Sequence, residues 1–205
     1  MSQPVFRKSV AGIALALALL ASPASAQILS EGHNFLEAVR DRDGDKVTEI
    51  ISQPGNTLIN TRDISTGDTA LHIVTERGDT NWILFLTQKG ANPNIANKKG
   101  ITPIMLAVSL GKVEGVDALL KAGARINDQN SLGETPLIQA THRRDVAMIK
   151  LLLAKGADPD RNDNSGRSAR DYMTVIDDKR MSAELAAADS DRKERPAGPT
   201  YGPGF

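Results

Sequence analysis

Apolar residues return along this chain in short dense runs, each closed by a glycine and followed by polar turn residues. Three runs set the rhythm: Ile83-Leu84-Phe85-Leu86, Val116-Asp117-Ala118-Leu119-Leu120 and Ile149-Lys150-Leu151-Leu152-Leu153. They lead into Lys89-Gly90-Ala91, Ala122-Gly123-Ala124 and Lys155-Gly156-Ala157, whose glycines stand 33 residues apart. A second phrase keeps the same interval. It reads Gly67-Asp68-Thr69-Ala70-Leu71-His72, then Gly100-Ile101-Thr102-Pro103-Ile104-Met105, then Gly133-Glu134-Thr135-Pro136-Leu137-Ile138, and fades into Gly166-Arg167-Ser168-Ala169-Arg170-Asp171. Two ladders in phase mark a stacked repeat architecture.

Each unit predicts two helices. Thr69, Thr102, Thr135 and Ser168 open an apolar run, where a hydroxyl accepts bonds from the orphan N–H groups of a helix start. Pro103 and Pro136 follow at the first helical position, where the missing donor costs little. In the third unit a helix over roughly Pro103–Leu110 ends near Gly111. The dense run forms a second helix, which Gly90, Gly123 and Gly156 close in the left-handed conformation. Asn92-Pro93-Asn94 and Asp158-Pro159-Asp160 are turn formers. One such unit buries too little apolar surface to fold alone, so the units must stack.

The pattern resembles the ankyrin repeat family, with its unit of about 33 residues and its Thr-Pro-Leu-His-x-Ala signature. Thr102-Pro103-Ile104-Met105-Leu106-Ala107 and Thr135-Pro136-Leu137-Ile138-Gln139-Ala140 match except at the histidine, and Thr69-Ala70-Leu71-His72 keeps the histidine but loses the proline. The resemblance covers about residues 30–182, read as an ankyrin repeat domain of about five units with degenerate caps at both ends. It implies an all-α solenoid of helix–turn–helix units joined by β-hairpin-like loops. For His72 it implies a hydrogen-bonding role inside the framework.

The ends of the chain read differently. Arg7 and Lys8, the apolar run Val10–Leu20 and Ala24-Ser25-Ala26 have the three parts of a cleaved signal peptide over residues 1–26, so the mature chain is expected to begin at Gln27. Without a cysteine after the run or an adjacent arginine pair before it, the expected path is the general secretory route, to the periplasm or out of the cell. Residues 30–62 read as an N-terminal cap, in which Arg42, like Arg144, stands where other units have Gly78 and Gly111. Three extra residues fall around Gln53-Pro54-Gly55-Asn56. Residues 163–182 read as the C-terminal cap, because Arg170 replaces the apolar Leu71, Ile104 and Leu137 and implies an uncovered end. Residues 183–205, charged and then rich in proline and glycine, read as a disordered tail.

Composition narrows the function. Removing Arg7 and Lys8 from 25 basic side chains leaves 23 against 25 acidic ones, a formal charge of −2 for the mature chain. That balance argues against nucleic acid or an anionic membrane as the main partner. With no cysteine there is no disulfide, thiol nucleophile or cysteine-ligated metal. His33, His72 and His142 share no metal-ligand spacing, and no Gly-x-Ser-x-Gly, phosphate loop or His-Glu-x-x-His occurs. Trp82 and Phe85, amid Ile83, Leu84 and Leu86, read as packing between repeats. No catalytic residue, cofactor or metal is expected.

The surface is left to carry the function. Family resemblance puts a concave partner-binding face on the hairpin tips and the exposed side of each first helix. Ile101, Leu110 and Leu132 are its apolar candidates, with Glu76, Arg77, Lys98, Lys99, His142 and Arg143 as a polar rim. The expected protein is a monomeric, non-enzymatic adaptor or regulator that grips another protein. The alternative is an accessory subunit or hydrolase with an unrecognised site.

Overall fold

The computed structural model describes residues 23–53 and 57–194, of which 23–30 and 194 are described by backbone alone. The basic and apolar parts of the expected leader lie outside the described residues, as do Pro54-Gly55-Asn56 and residues 195–205. Within the described residues, helices alternate between two layers. The inner layer holds α1 (Pro23–Arg40), α3 (Ala70–Arg77), α5 (Pro103–Ser109), α7 (Pro136–His142) and α9 (Ala169–Ile176). The outer layer holds α2 (Gly44–Ile51), α4 (Thr80–Gln88), α6 (Val113–Lys121), α8 (Val146–Ala154) and α10 (Lys179–Glu194). Each inner helix packs on its own outer partner and on the inner helices before and after it, and α4, α6, α8 and α10 pack in succession. The all-α repeat solenoid implied by the sequence is what forms. Extended pairing among the described residues is confined to an isolated bridge between Arg62 and Thr69.

The helix ends explain the two ladders. The Thr135 hydroxyl accepts the Ile138 N–H at 3.2 Å. Ser168 caps Asp171 in the same way, and the Asp171 carboxylate accepts the Ser168 N–H in return at 2.9 Å. Gly90, Gly123 and Gly156 close the outer helices at φ of 95°, 88° and 92°, left-handed as expected and a region that side chains resist. At the inner-to-outer turn Gly78 and Gly111 also have positive φ, and so do the arginines that replace them, Arg42 at 61° and Arg144 at 53°. Between the layers lies a continuous core that includes Phe35, Leu71, Ile83, Ile104, Leu119, Leu137, Ile149 and Leu152. Trp82 and Phe85 pack partly against this core, as an edge-to-face pair with centroids 5.5 Å apart.

Side-chain amides clamp successive repeats together. Asn60 accepts the Asn92 N–H at 2.8 Å, Asn94 accepts the Arg125 N–H at 2.8 Å, and Asn127 accepts the Asp158 N–H at 2.9 Å. Asn94 also donates to the Gly123 carbonyl at 3.1 Å, so a single side chain satisfies both a donor and an acceptor of the next unit.

Two expectations for the C-terminal end are corrected. Residues 183–194 are not disordered: they continue α10, which packs on α8. Met181, Leu185 and Ala188 fall at i, i+4 and i+7, one helical face; the first two are buried and the third packs partly against the core. Charge dominates the composition here and hides that stripe. Arg170 does not mark an uncovered end either. Its guanidinium binds Asp189 of α10 at 2.7 Å and Asp160 at 2.6 Å, so the helix it was expected to lack lies against it.

Candidate partner-binding face

The hairpin tips are rigid because an Asx residue opens each of them. Asn97 accepts the N–H groups of Lys99 and Ile101, Asn130 those of Leu132 and Glu134, and Asp163 those of Ser165 and Arg167, at 2.8–3.1 Å. Asp63 does the same for Ser65 and Thr66 in the first tip. The Asx side chain thereby stands in for backbone acceptors that a tight turn lacks. Hydroxyl donors deepen this. The Ser65 hydroxyl, then the N–H groups of Thr66 and Ser65, hold Asp63 well below the ordinary carboxylate range. Asp163 is held low by the hydroxyls of Ser165 and Tyr172. Asn97, Asn130 and Asp163 keep the period of 33, so this ladder was readable in the sequence, although nothing in the glycine phrases drew attention to it.

His72 has the framework role that the resemblance implied, and it reaches further than its own unit. Its Nδ1 accepts the Thr69 N–H at 3.1 Å, which leaves Nε2 to donate to the Ile101 carbonyl of the next repeat at 2.9 Å. Burial, the largest influence, pushes its pKa below 6.5 and keeps the ring neutral. In the third unit Met105 takes this place, and the buried Thr102 hydroxyl has no hydrogen-bond partner among the described residues.

The nine candidate surface residues fall into different situations. Leu132 is 62% exposed at a tip and Leu110 is 41% exposed at the far end of α5. Ile101 is half-buried at the tip end of the same helix. A seven-residue helix separates Ile101 from Leu110 by about 10 Å, so the apolar candidates span the height of the face and do not form one spot. Glu76, Lys99 and Arg143 make no side-chain hydrogen bond or ion pair within the described residues and are free for a partner. Lys98 is less free, because its ammonium group binds the Ile64 carbonyl. Arg77 is committed inside the molecule: it donates to the Val39 carbonyl at 2.8 Å and stacks 5.6 Å from the Trp82 ring centroid. His142 stands 3.4 Å from Glu134 and edge-on to Tyr172, centroids 4.5 Å apart.

Sequence reasoning missed part of this surface. Tyr172 and Val175 stand 33 residues beyond Gln139 and His142, and they carry the same row into the last unit. Val175 is 75% exposed. The Tyr172 hydroxyl donates to Asp163 at 2.7 Å, and the Arg167 guanidinium lies 5.9 Å over its ring. The repeat period alone would have included this unit.

Among the described residues no helix is long and apolar enough to cross a membrane, and no group of three or more histidine or acidic side chains stands where it could hold a metal ion. The family model for ankyrin repeats (3 copies) matches residues 35–130 and 83–163, which together span more than half of the chain. The chain is also similar to an ankyrin repeat protein of Fowlpox virus (strain NVSL). The two are 32% identical over 85 residues, covering 37% of this chain and 25% of the viral protein. The match thus spans about a quarter of that curated relative's length.

Proposed function

The chain belongs to the ankyrin repeat family, and we propose that it works as an exported, non-enzymatic adaptor or regulator that grips a folded protein with the concave face of the stack. Ankyrin repeats are protein-binding frameworks, in which the shared scaffold holds variable surface residues. The observation that carries the reading is the make-up of the inner-helix face. Leu110 at one end of α5 and Leu132 at a tip stand exposed, and Glu76, Lys99 and Arg143 make no side-chain hydrogen bond or ion pair within the described residues. Desolvated apolar anchors within a charged rim are the anatomy of a protein interface. Export rests on the three-part leader, and a mature chain starting at Gln27 loses the first four residues of α1 and keeps the rest of the inner layer.

Capture from a periplasmic extract tests it. Leu110→Asp combined with Leu132→Asp should abolish capture, because unpaired charge would be buried at the anchors. Lys98→Ala with Lys99→Ala should only weaken capture and change its salt dependence. Both variants should keep the wild-type Tm. Full capture by the double aspartate variant would sink this reading. N-terminal sequencing that returned Met1 would sink export.

A further inference from the structure

The turns between inner and outer helices carry a pattern that stability alone does not explain. Three of these turns place an aspartate at the start of the outer helix, and it accepts the N–H three residues on: Asp43 from Lys46, Asp79 from Trp82 and Asp145 from Met148. In the third unit that position is Lys112, which makes no capping bond. A cation at a helix N-terminus is also unfavourable to the helix dipole. One unit further on, Arg144 holds the left-handed turn position at φ 53°, as Arg42 does in the first unit at 61°, where Gly78 and Gly111 stand in the units between. Lys112 is thus a cation where the neighbouring units place a capping carboxylate, and Arg144, one unit on, holds a positive φ that a glycine would hold without strain.

Both cations belong to inner-to-outer turns of adjacent units, and a third, Arg143, precedes Arg144 in the chain. Lys112 leans back over the preceding unit: a Cβ at Gly78 would stand 3.3 Å from its ammonium nitrogen. Arg143 does likewise, with a guanidinium nitrogen 3.5 Å from a Cβ built on Gly111. Lys112, Arg143 and Arg144 make no side-chain hydrogen bond or ion pair within the described residues. Leu110, two residues before Lys112, is 41% exposed. The nearby carboxylates of Asp79 and Asp145 are held as caps, and Glu114 is exposed one turn along α6. Residues that break a framework's own rules mark function more often than accident.

We propose that this edge of the third and fourth units docks an acidic peptide segment of the partner, with Lys112, Arg143 and Arg144 taking carboxylates and Leu110 an apolar side chain between them. The inference rests on the partner-binding reading above and adds the partner's chemistry. A peptide fits better than nucleic acid, because the cluster is small, has an apolar centre and belongs to a chain with balanced charge.

The test uses the mature protein and a fluorescein-labelled peptide of glutamates with a leucine at its centre, read by fluorescence anisotropy. A lysine peptide of equal length, a DNA duplex and phosphatidylserine vesicles are the comparison probes. Lys112→Asp combined with Arg144→Gly should weaken acidic-peptide binding about tenfold or more while raising Tm by a few degrees, since one change supplies a cap and the other relieves the backbone. Opposite signs separate a binding role from a structural one. Equal binding by wild type and variant overturns the inference, as does a lower Tm in the variant. Preference for the lysine peptide, the duplex or the vesicles also overturns it. If the double aspartate variant at Leu110 and Leu132 loses partner capture while the acidic peptide ignores the Lys112 and Arg144 changes, only the acidic segment is refuted and the partner-binding reading stands.

Discussion

Gly133→Ala offers a direct measurement of how tightly neighbouring repeats fit. Gly133 has φ 77°, and a Cβ built there would stand 2.4 Å from Asn164 Oδ1 and 2.6 Å from the Asn164 backbone nitrogen. Real Cβ atoms do not approach that closely, so the next hairpin tip must move. The left-handed backbone itself costs an L side chain about 1 kcal/mol. Moving Asn164 also disturbs its N–H bond to the Leu132 carbonyl and its amide bond to the Ser131 carbonyl, both 3.1 Å. Lost bonds and a forced shift of packed backbone add about 1–3 kcal/mol, for a total of roughly 2–4 kcal/mol. Gly123→Ala is the control, because Gly123 has φ 88° but nothing within 4 Å of its added Cβ. It should cost only the backbone part, about 1 kcal/mol. Both changes stiffen the unfolded chain alike, so that contribution cancels in the difference. Urea unfolding followed by circular dichroism should place the Gly133→Ala midpoint clearly below that of Gly123→Ala. Coincident midpoints would refute the claim that tip-to-tip contact limits what this position accepts.

Other outcomes follow from the same structure. Leu152→Ala, at a fully buried site, should cost roughly 2–5 kcal/mol, whereas Lys193→Arg on the exposed end of α10 should leave the urea midpoint unchanged. Truncation after Ser182 should cost about 2 kcal/mol, since it removes the buried Leu185 and the Asp189 partner of Arg170; an unchanged midpoint would return residues 183–194 to a passive role. His72 stays neutral in the fold, with a pKa below 6.5, while the unfolded chain takes up a proton as pH falls through that value. The unfolded state then binds more protons, so stability is full above pH 6.5 and declines below it. His72→Asn should flatten this decline below pH 6.5, and an identical slope in the variant would contradict the assignment.

The sequence announced the solenoid because its period is a backbone requirement. Left-handed closures at Gly90, Gly123 and Gly156 and hydroxyl caps at Thr135 and Ser168 restrict residue type locally, so they recur visibly. What stayed hidden depends on contacts across repeats. Arg77 looked like a rim charge, but its guanidinium reaches the Val39 carbonyl one unit earlier, which no local window shows. Arg170 read as a surface residue because Asp189, its partner, lies 19 positions on in a segment that composition marked as unstructured. Tyr172 and Val175 were passed over for a related reason: a degenerate unit was assumed to close the face, when its first helix extends it.

The asparagine clamps also bear on how such a chain grows. Asn60, Asn94 and Asn127 each present the same acceptor to the same backbone position of the following unit. An in-frame duplication of the 33 residues from Asn94 to Ile126 therefore creates no orphaned joint, because each copy meets its neighbour through a bond the original already made. The series stops at Asp160, 33 residues after Asn127, where the carboxylate turns to Arg170 and forms an ion pair. Both oxygens of this carboxylate accept from the Arg170 guanidinium, so the acceptor that the clamp uses is already engaged. A cassette of 33 residues thus enters the middle of the stack with its amide joints already specified, whereas a unit added after Asp160 would have to compete with Arg170 for that carboxylate.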